Sequence, residues 1–571
     1  MRGLKAIIIL LVISLLASVA YAAEPDMVVS NSAQWQDVYS VMLFSSISDY
    51  NSAFLVSDRH SVLLADSMEP GTHVWVVSSD TSPFTLGYGS YLEGRGFTSE
   101  SFTYENINLE LGRQLDTTSF IVVDDSYGYN AISVAPYAVA SNSYVVFADL
   151  TNIGEVDDFL SDKGATNVII YGHVDRIVKD TLTANYNTEI INIDGDRFAN
   201  NIEIVKRYQE IAHSKQVILT NGEFIEQEIM SGKEPVIFIG RNNVPEIVRQ
   251  YIAGSEITVG VLIGNELVNT ATFIRRQIGI SVFVKFARSA RSPDTAISQV
   301  EALDMFYLPV YSLGLEVDSL SYNRATGQLE VVLRNTQDLA VYFRGSYTIT
   351  LPDGTRLTVG DADAVFIEPN SYKTMTYSLD SLPEGSVIDL YIIYGESKNS
   401  LEYVIDEQYC MSCAKKFSII DIIDNCEINM SSVSYSLPRK LFYVEISNIG
   451  PVGCYVDVEL PDVIVAAERV TYHLEDVAFV EIGETRELKI KGALEEEDLE
   501  DNEFVNAKAY YGQRENSLVK FIEGRFPLNV ITSYFSAAMM ISYGLLAIII
   551  ILVALLVWRF YFAKRRRKRQ E

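Results

Sequence analysis

The chain has 571 residues, with 45 Lys and Arg against 75 Asp and Glu and a formal net charge of −30. That acidity excludes a nucleic-acid partner, which needs a basic face to neutralise phosphates. A hydrophobic content of 48% excludes a disordered acidic protein, and four cysteines are too few for a disulfide-built scaffold.

Met1 to Ala22 (residues 1–22) reads as a signal peptide. Arg2 and Lys5 give a positive start, an apolar run follows from Ala6 to Ala20, and Ala20-Tyr21-Ala22 offers small residues at the cleavage positions. Residues 35–290 read as an α/β head. Val- and Ile-rich runs such as "HVWVV" at 73–77, "SFIVVDD" at 119–125, "SYVVFAD" at 143–149, "NVIIYG" at 167–172 and "QVILTN" at 216–221 alternate with amphipathic stretches, the pattern of parallel strands covered on both faces. Helices are expected at 153–164, stopped by Gly164, and at 243–254, with Pro245 in the first turn. "SDYNSAFLVSDRHSVLLAD" at 48–66 is similar to "YGYNAISVAPYAVASNSYVVFAD" at 127–149, each read as Tyr-Asn, a helix and a strand ending in Ala-Asp. A third unit is expected to start at Gln216, which gives three Rossmann-like units.

The second unit carries Asn130-Ala131, Ala135-Pro136, "YVVFAD" ending at Asp149, "VIIYG" ending at Gly172, and "DGDRFANN" with Gly195, Asp196, Arg197, Phe198 and Asn200. In order and spacing these residues resemble the cell wall binding repeat of bacterial and archaeal surface proteins. The resemblance covers about 45–290. It implies degenerate Rossmann-like repeats packed as a three-fold assembly and non-covalent attachment to an envelope polymer, with Asp149, Asp196 and Arg197 as motif candidates for binding.

From 312 to 405 and again from 428 to 526, strand-like runs separated by turn signals such as "PDG" at 352–354 predict two antiparallel sandwiches. "VVLRNTQD" and "VEISNIGP" look alike, a strand followed by Asn at a turn. These blocks resemble generic adhesion-type Ig-like sandwiches. Between them, residues 406–427 form a cysteine-containing junction. Cys410, Cys413, Cys426 and Cys454 are expected to form two disulfides, with three pairings open and a four-thiolate zinc site as the alternative. Asn429-Met430-Ser431 is an N-glycosylation sequon. Residues 535–558 are apolar enough for one transmembrane helix, and 559–571 make a basic tail of seven Lys and Arg against one acid. These features predict a single-pass type I protein of the cell membrane with most of its chain outside. Without leader and tail, that part carries 36 basic and 74 acidic residues, a net −38.

No catalytic motif is found. The five histidines are scattered, and no glycine-rich phosphate loop or nucleophile elbow occurs. Asp124, Asp125, Asp149, Asp194 and Asp196 fall near predicted strand ends, where they would cap helices or, as a less favoured role, hold calcium. No other cofactor is expected. The sequence therefore points to a non-enzymatic envelope protein of archaeal type, for adhesion or envelope organisation, whose head binds a cell-envelope glycan or a surface-layer protein. The alternatives are a glycan-processing ectoenzyme and a homo-oligomeric protein of an envelope lattice.

Overall fold

A computed structural model of the chain describes residues 24–264, 267, 270, 274, 278–285, 305–532, 546 and 548–559. The N-terminal part is α/β with parallel sheets, and the part after residue 314 is β-rich. The signal peptide at 1–22 lies outside the described residues.

The head contains three copies of one unit. Each is a four-stranded parallel sheet in which the second strand of the unit lies outside the first, giving the order second, first, third, fourth. The first unit uses Met27–Asn31, Asn51–Phe54, His73–Ser79 and Thr98–Tyr104. The second uses Ser119–Val123, Tyr144–Phe147, Asn167–Tyr171 and Thr188–Ile191. The third uses Gln216–Thr220, Val236–Phe238, Val259–Ile263 and Ser281–Lys285. The first helix of each unit, Trp35–Ile47, Tyr129–Ala140 and Gln227–Met230, packs on the other two, so the three units share one apolar core.

Two features differ from the sequence reading. Met27–Asn31 belongs to the head, eight residues before the expected start at 35. The repeat runs in another register: "HSVLLAD" at 60–66, read as a strand, is the helix His60–Ser67, with Val62 and Leu63 on the surface. Asn51 opens a strand, whereas Asn130 lies in a helix. A short apolar run has no period long enough to separate helix from strand.

The units are joined by a repeated seam. Asn108, on the helix Ile107–Gln114, donates to Val145 O of the next unit (2.9 Å) and accepts from Phe147 N (3.5 Å), and it also donates to Ser40 Oγ (2.9 Å). Asn201, on the helix Arg197–Ala212, does the same one unit on, with Val236 O (3.0 Å), Phe238 N (2.9 Å) and Ser133 Oγ (2.8 Å). Each carboxamide takes the place of a strand residue against a backbone that would otherwise be buried unpaired.

The β part holds two sandwiches of the same topology. In the first, the sheet with Leu315–Asn323, Gln328–Asn335, Tyr372–Ser378 and Ser418–Ile420 shares a core with the sheet built on Val341–Thr350, Val387–Gly395 and Leu401–Cys410. In the second, every pairing of the opening strands recurs 113 residues later: Leu315 with Asn335 becomes Ile428 with Asn448, and the bulge between Val317 and Ser319 becomes that between Met430 and Ser432. Tyr322 donates to Leu379 O and Tyr435 to Gly492 O, at 3.2 and 3.1 Å. Buried Asn335 holds Leu339 O and Glu368 O as Asn448 holds Val452 O and Val480 O, which explains the likeness of the two Asn-turn segments. The expected junction at 406–427 is not a separate piece, since Cys410 ends a strand and Ser418–Ile420 pairs within the first sandwich.

The expected transmembrane helix at 535–558 is corrected. Among the described residues no helix is long and apolar enough to cross a membrane. Residues 546 and 548–559 are helical. The rest of the predicted span, and the tail after Arg559, lie outside the described residues. The single-pass type I localisation inferred from that span falls with it.

Candidate functional site: the strand ends of the head

Open parallel sheets gather ligands at the carboxyl ends of their strands. In the second unit the ends of the last two strands are taken by the protein's own sandwiches. After Thr188–Ile191 the chain turns through Asp194 and Gly195, both in left-handed backbone conformation (φ 51° and 68°). Asp196 then caps the helix Arg197–Ala212, its Oδ1 accepting from Phe198 N (2.8 Å) and Ala199 N (3.0 Å). The same carboxylate accepts from Ser397 Oγ (2.8 Å) and Ser400 Oγ (2.5 Å) of the first sandwich.

Arg197 is the centre of this joint. It is 9% exposed. Its Nε lies 3.1 Å from Glu396 Oε1, and Nη2 donates to Glu402. Its guanidinium sits 4.3 Å from the ring centre of Tyr129 and 5.4 Å from that of Tyr311, on the segment leading to the first sandwich. One buried cation thus faces two carboxylates. Burial pushes Glu396 up to about 8, outweighing the downward pull of Arg197. Burial likewise raises Glu402.

The second sandwich docks beside it. His173 Nδ1 lies 3.0 Å from Glu468 Oε2, Asn192 donates to Glu468 Oε1 (2.5 Å), and Lys179 donates to Ala466 O (2.6 Å). Arg176 donates to Asp498 (2.5 Å), which also accepts from Ala466 N (2.8 Å). The hydrogen bond from His173 and its charge help hold the Glu468 carboxyl below the usual range, against a larger upward push from burial. A polar cavity of about 380 Å³ remains where the three bodies meet, lined by Asp194, Asp196, Lys398, Asp462 and Arg469 among others.

The strand ends of the first unit are open. A cleft of about 710 Å³ runs between the first and second units, lined by Gln36, Asp37, Tyr104, Glu105, Asn106, Asp125 and others. Five acids line it (Asp37, Glu105, Glu110, Asp125 and Glu155), with no Lys or Arg among the lining residues. Burial raises both Asp37 and Asp125, more than Ser32 and Gln36 lower them through their hydrogen bonds. Gln36 donates to Asp125 Oδ2 (3.1 Å), while its buried Oε1 meets no hydrogen-bond partner among the described residues.

Each of the three motif candidates for binding has partners within the protein. Asp196 and Arg197 are buried in the joint. Asp149 accepts from the Thr151 amide and hydroxyl (both 2.7 Å) and from Asn152 N (3.0 Å), opening the helix Ile153–Asp162. Burial is the largest single influence and pushes Asp149 up, but these bonds together outweigh it and hold the carboxyl below the usual range. Glu396 and Glu402, which complete the joint, have no sequence signal, since they lie about two hundred residues from Arg197. Among the described residues no group of three or more His, Cys, Asp or Glu side chains is placed to hold a metal ion. The cysteines pair as Cys410–Cys413 and Cys426–Cys454. Asn429 is exposed on the first strand of the second sandwich.

No family model matches the chain, and no curated protein matches it. Among solved structures it is similar to the periplasmic chaperone SfaE, with 12% identity over 38% of this chain and 100% of that one and a TM-score of 0.13. It is similar to Escherichia coli alpha-2-macroglobulin, with 8% identity over 40% and 23% and a TM-score of 0.14. Red sea bream transglutaminase gives 9% identity over 39% and 32%, with a TM-score of 0.13. Likenesses this slight carry no argument about function.

Proposed function

We propose that the protein is a non-catalytic binding protein of the cell envelope, which takes a hydroxyl-rich surface glycan or an envelope protein in the cleft between the first and second head units. The observation that carries this reading is the open strand-end cleft, set beside equivalent strand ends that the sandwiches close. Carboxylates and amides without opposing cations suit a ligand rich in hydroxyl or amine donors and repel an anionic polymer. Two disulfides fit work in an oxidising compartment. The sandwiches, locked to the head, present the cleft at a fixed angle.

The test is retention of the full chain on immobilised neutral envelope polysaccharide and on envelope proteins. Retention that falls at least about tenfold, some 1.4 kcal/mol, in the Asp37→Asn/Asp125→Asn variant supports the reading. No retention on either material refutes it. The pair of raised acids in one cleft also favours a second reading, a glycan-processing ectoenzyme. Release of shortened saccharide by the wild type and not by the variant would establish that instead.

A further inference from the structure

The two disulfides do different work, and the duplicated sandwiches show which is which. Cys426 and Cys454 occupy the positions, 113 residues on, that Leu313 and Val341 hold in the first sandwich. All four side chains are buried in their cores. Cys426–Cys454 therefore replaces an apolar core contact by a bond.

Cys410–Cys413 has no such counterpart. In the second sandwich the strand Lys520–Ile531 runs without a break from pairing with Phe504–Gly512 to pairing with Ile428–Ser436. The first sandwich makes the same crossing, from Cys410 opposite Val387 to Ser418 opposite Ser321. The matching pairs in the second are Pro527 opposite Phe504 and Asn529 opposite Ser434. Seven residues of chain lie between the paired positions in the first sandwich and one in the second, so the first carries six extra residues, 411–416. This insertion, which the fold does without in its other copy, holds Cys413 and closes the disulfide to Cys410.

The inserted turn is open to solvent. Met411, Ser412, Lys415 and Lys416 are exposed and Cys413 is half-buried, whereas Cys410 is 7% exposed at the end of its strand. Ser412 Oγ lies 3.3 Å from Cys410 Sγ. A disulfide sulfur has no proton to give, so the hydroxyl is the donor. A cross-link between residues only three apart constrains the unfolded chain least. Accessible cross-links of this kind are the ones that exchange.

We propose that Cys410–Cys413 is a thiol–disulfide exchange site for a dithiol partner protein, while Cys426–Cys454 is the permanent cross-link. The partner's thiolate attacks Cys413 Sγ, the more exposed sulfur. A mixed disulfide forms, the Cys410–Cys413 bond breaks, and its electron pair stays on Cys410 Sγ. The Ser412 hydroxyl favours that thiolate. The partner's second thiolate then attacks the mixed disulfide and releases Cys413. The two cysteines take up two protons, and the partner leaves oxidised to its own disulfide.

The experiment uses the folded full chain, dithiothreitol as the dithiol, and alkylation at intervals followed by peptide mass mapping. Cys410 and Cys413 should become labelled at least about tenfold faster than Cys426 and Cys454. The selectively opened protein, and the Cys410→Ser/Cys413→Ser variant, should keep the urea midpoint of the untreated protein. Equal labelling rates, or prior labelling of Cys426 and Cys454, would overturn the assignment. Unfolding on opening the Cys410–Cys413 bond would overturn it as well, by making that bond a structural one.

Discussion

Glu396 shows what a single residue can report about the joint. It faces Arg197, with Glu402 and Asp196 also close, and burial lifts it from an ordinary 4.5 to about 8. The folded protein therefore binds this proton more tightly than the unfolded chain does. The resulting stability is complete below about pH 4.5 and is lost as the pH rises through about 8. Other buried acids such as Asp457 add in the same direction, so the group is isolated by difference. Urea midpoints of wild type and Glu396→Gln, taken from pH 5 to 9, should converge at the acid end and separate at the alkaline end, with Glu396→Gln the less pH-dependent. Parallel curves would show that Glu396 is ionised throughout. Arg197 itself was visible in the sequence only as part of a motif. The acids that give it its role come from a distant loop and strand, and no local pattern joins them.

Among elements, sequence legibility followed the length of the apolar signal. "SFIVV" and "NVIIY" are buried strands because four consecutive apolar residues in a parallel sheet have helices on both faces. The amphipathic helix Ile153–Asp162 has Gly164 in left-handed conformation just past its end. "HSVLLAD" failed because an eight-residue helix at the surface exposes Val62 and Leu63, and its composition then matches that of a strand. The duplication of the sandwiches was legible only at the Asn335 and Asn448 turns. There one side chain must satisfy two backbone carbonyls, and few residues can. Elsewhere any apolar residue fills the core, so Leu313 and Val341 can correspond to Cys426 and Cys454. That equivalence makes a prediction. Cys426→Leu/Cys454→Val should fold and lose about 2–4 kcal/mol, the contribution of the cross-link alone. Cys426→Ala/Cys454→Ala should lose at least about 1 kcal/mol more, because it leaves a cavity as well. Urea unfolding of the three proteins measures both steps, and equal losses in the two variants would refute the equivalence.

At the scale of the molecule, the charge of −30 is not spread evenly over the interfaces. At the joint the head supplies the cations, Arg176, Lys179 and Arg197, together with His173, and the sandwiches supply Glu396, Glu402, Glu468 and Asp498. A basic patch that could have met an anionic polymer is covered by the protein's own stalk. The two sandwiches are tied in turn by Lys373, fully buried between Glu459 (3.0 Å) and Glu368 and set over the Tyr510 ring. Acidic bodies otherwise repel one another, so this placement of charge makes head and sandwiches one cooperative unit. Pairs this deeply buried are little screened by salt, and removing one partner leaves the other charge stranded at about 3–5 kcal/mol. Calorimetry of the wild type should therefore show one transition, unchanged in form up to about 1 M salt. The Arg176→Ala/Arg197→Met variant should split it into separate head and sandwich transitions, and its radius of gyration in X-ray scattering should rise. A single transition with an unchanged radius in that variant would mean that the apolar contacts around Tyr129 and Tyr311, rather than the charges, hold the head to the stalk.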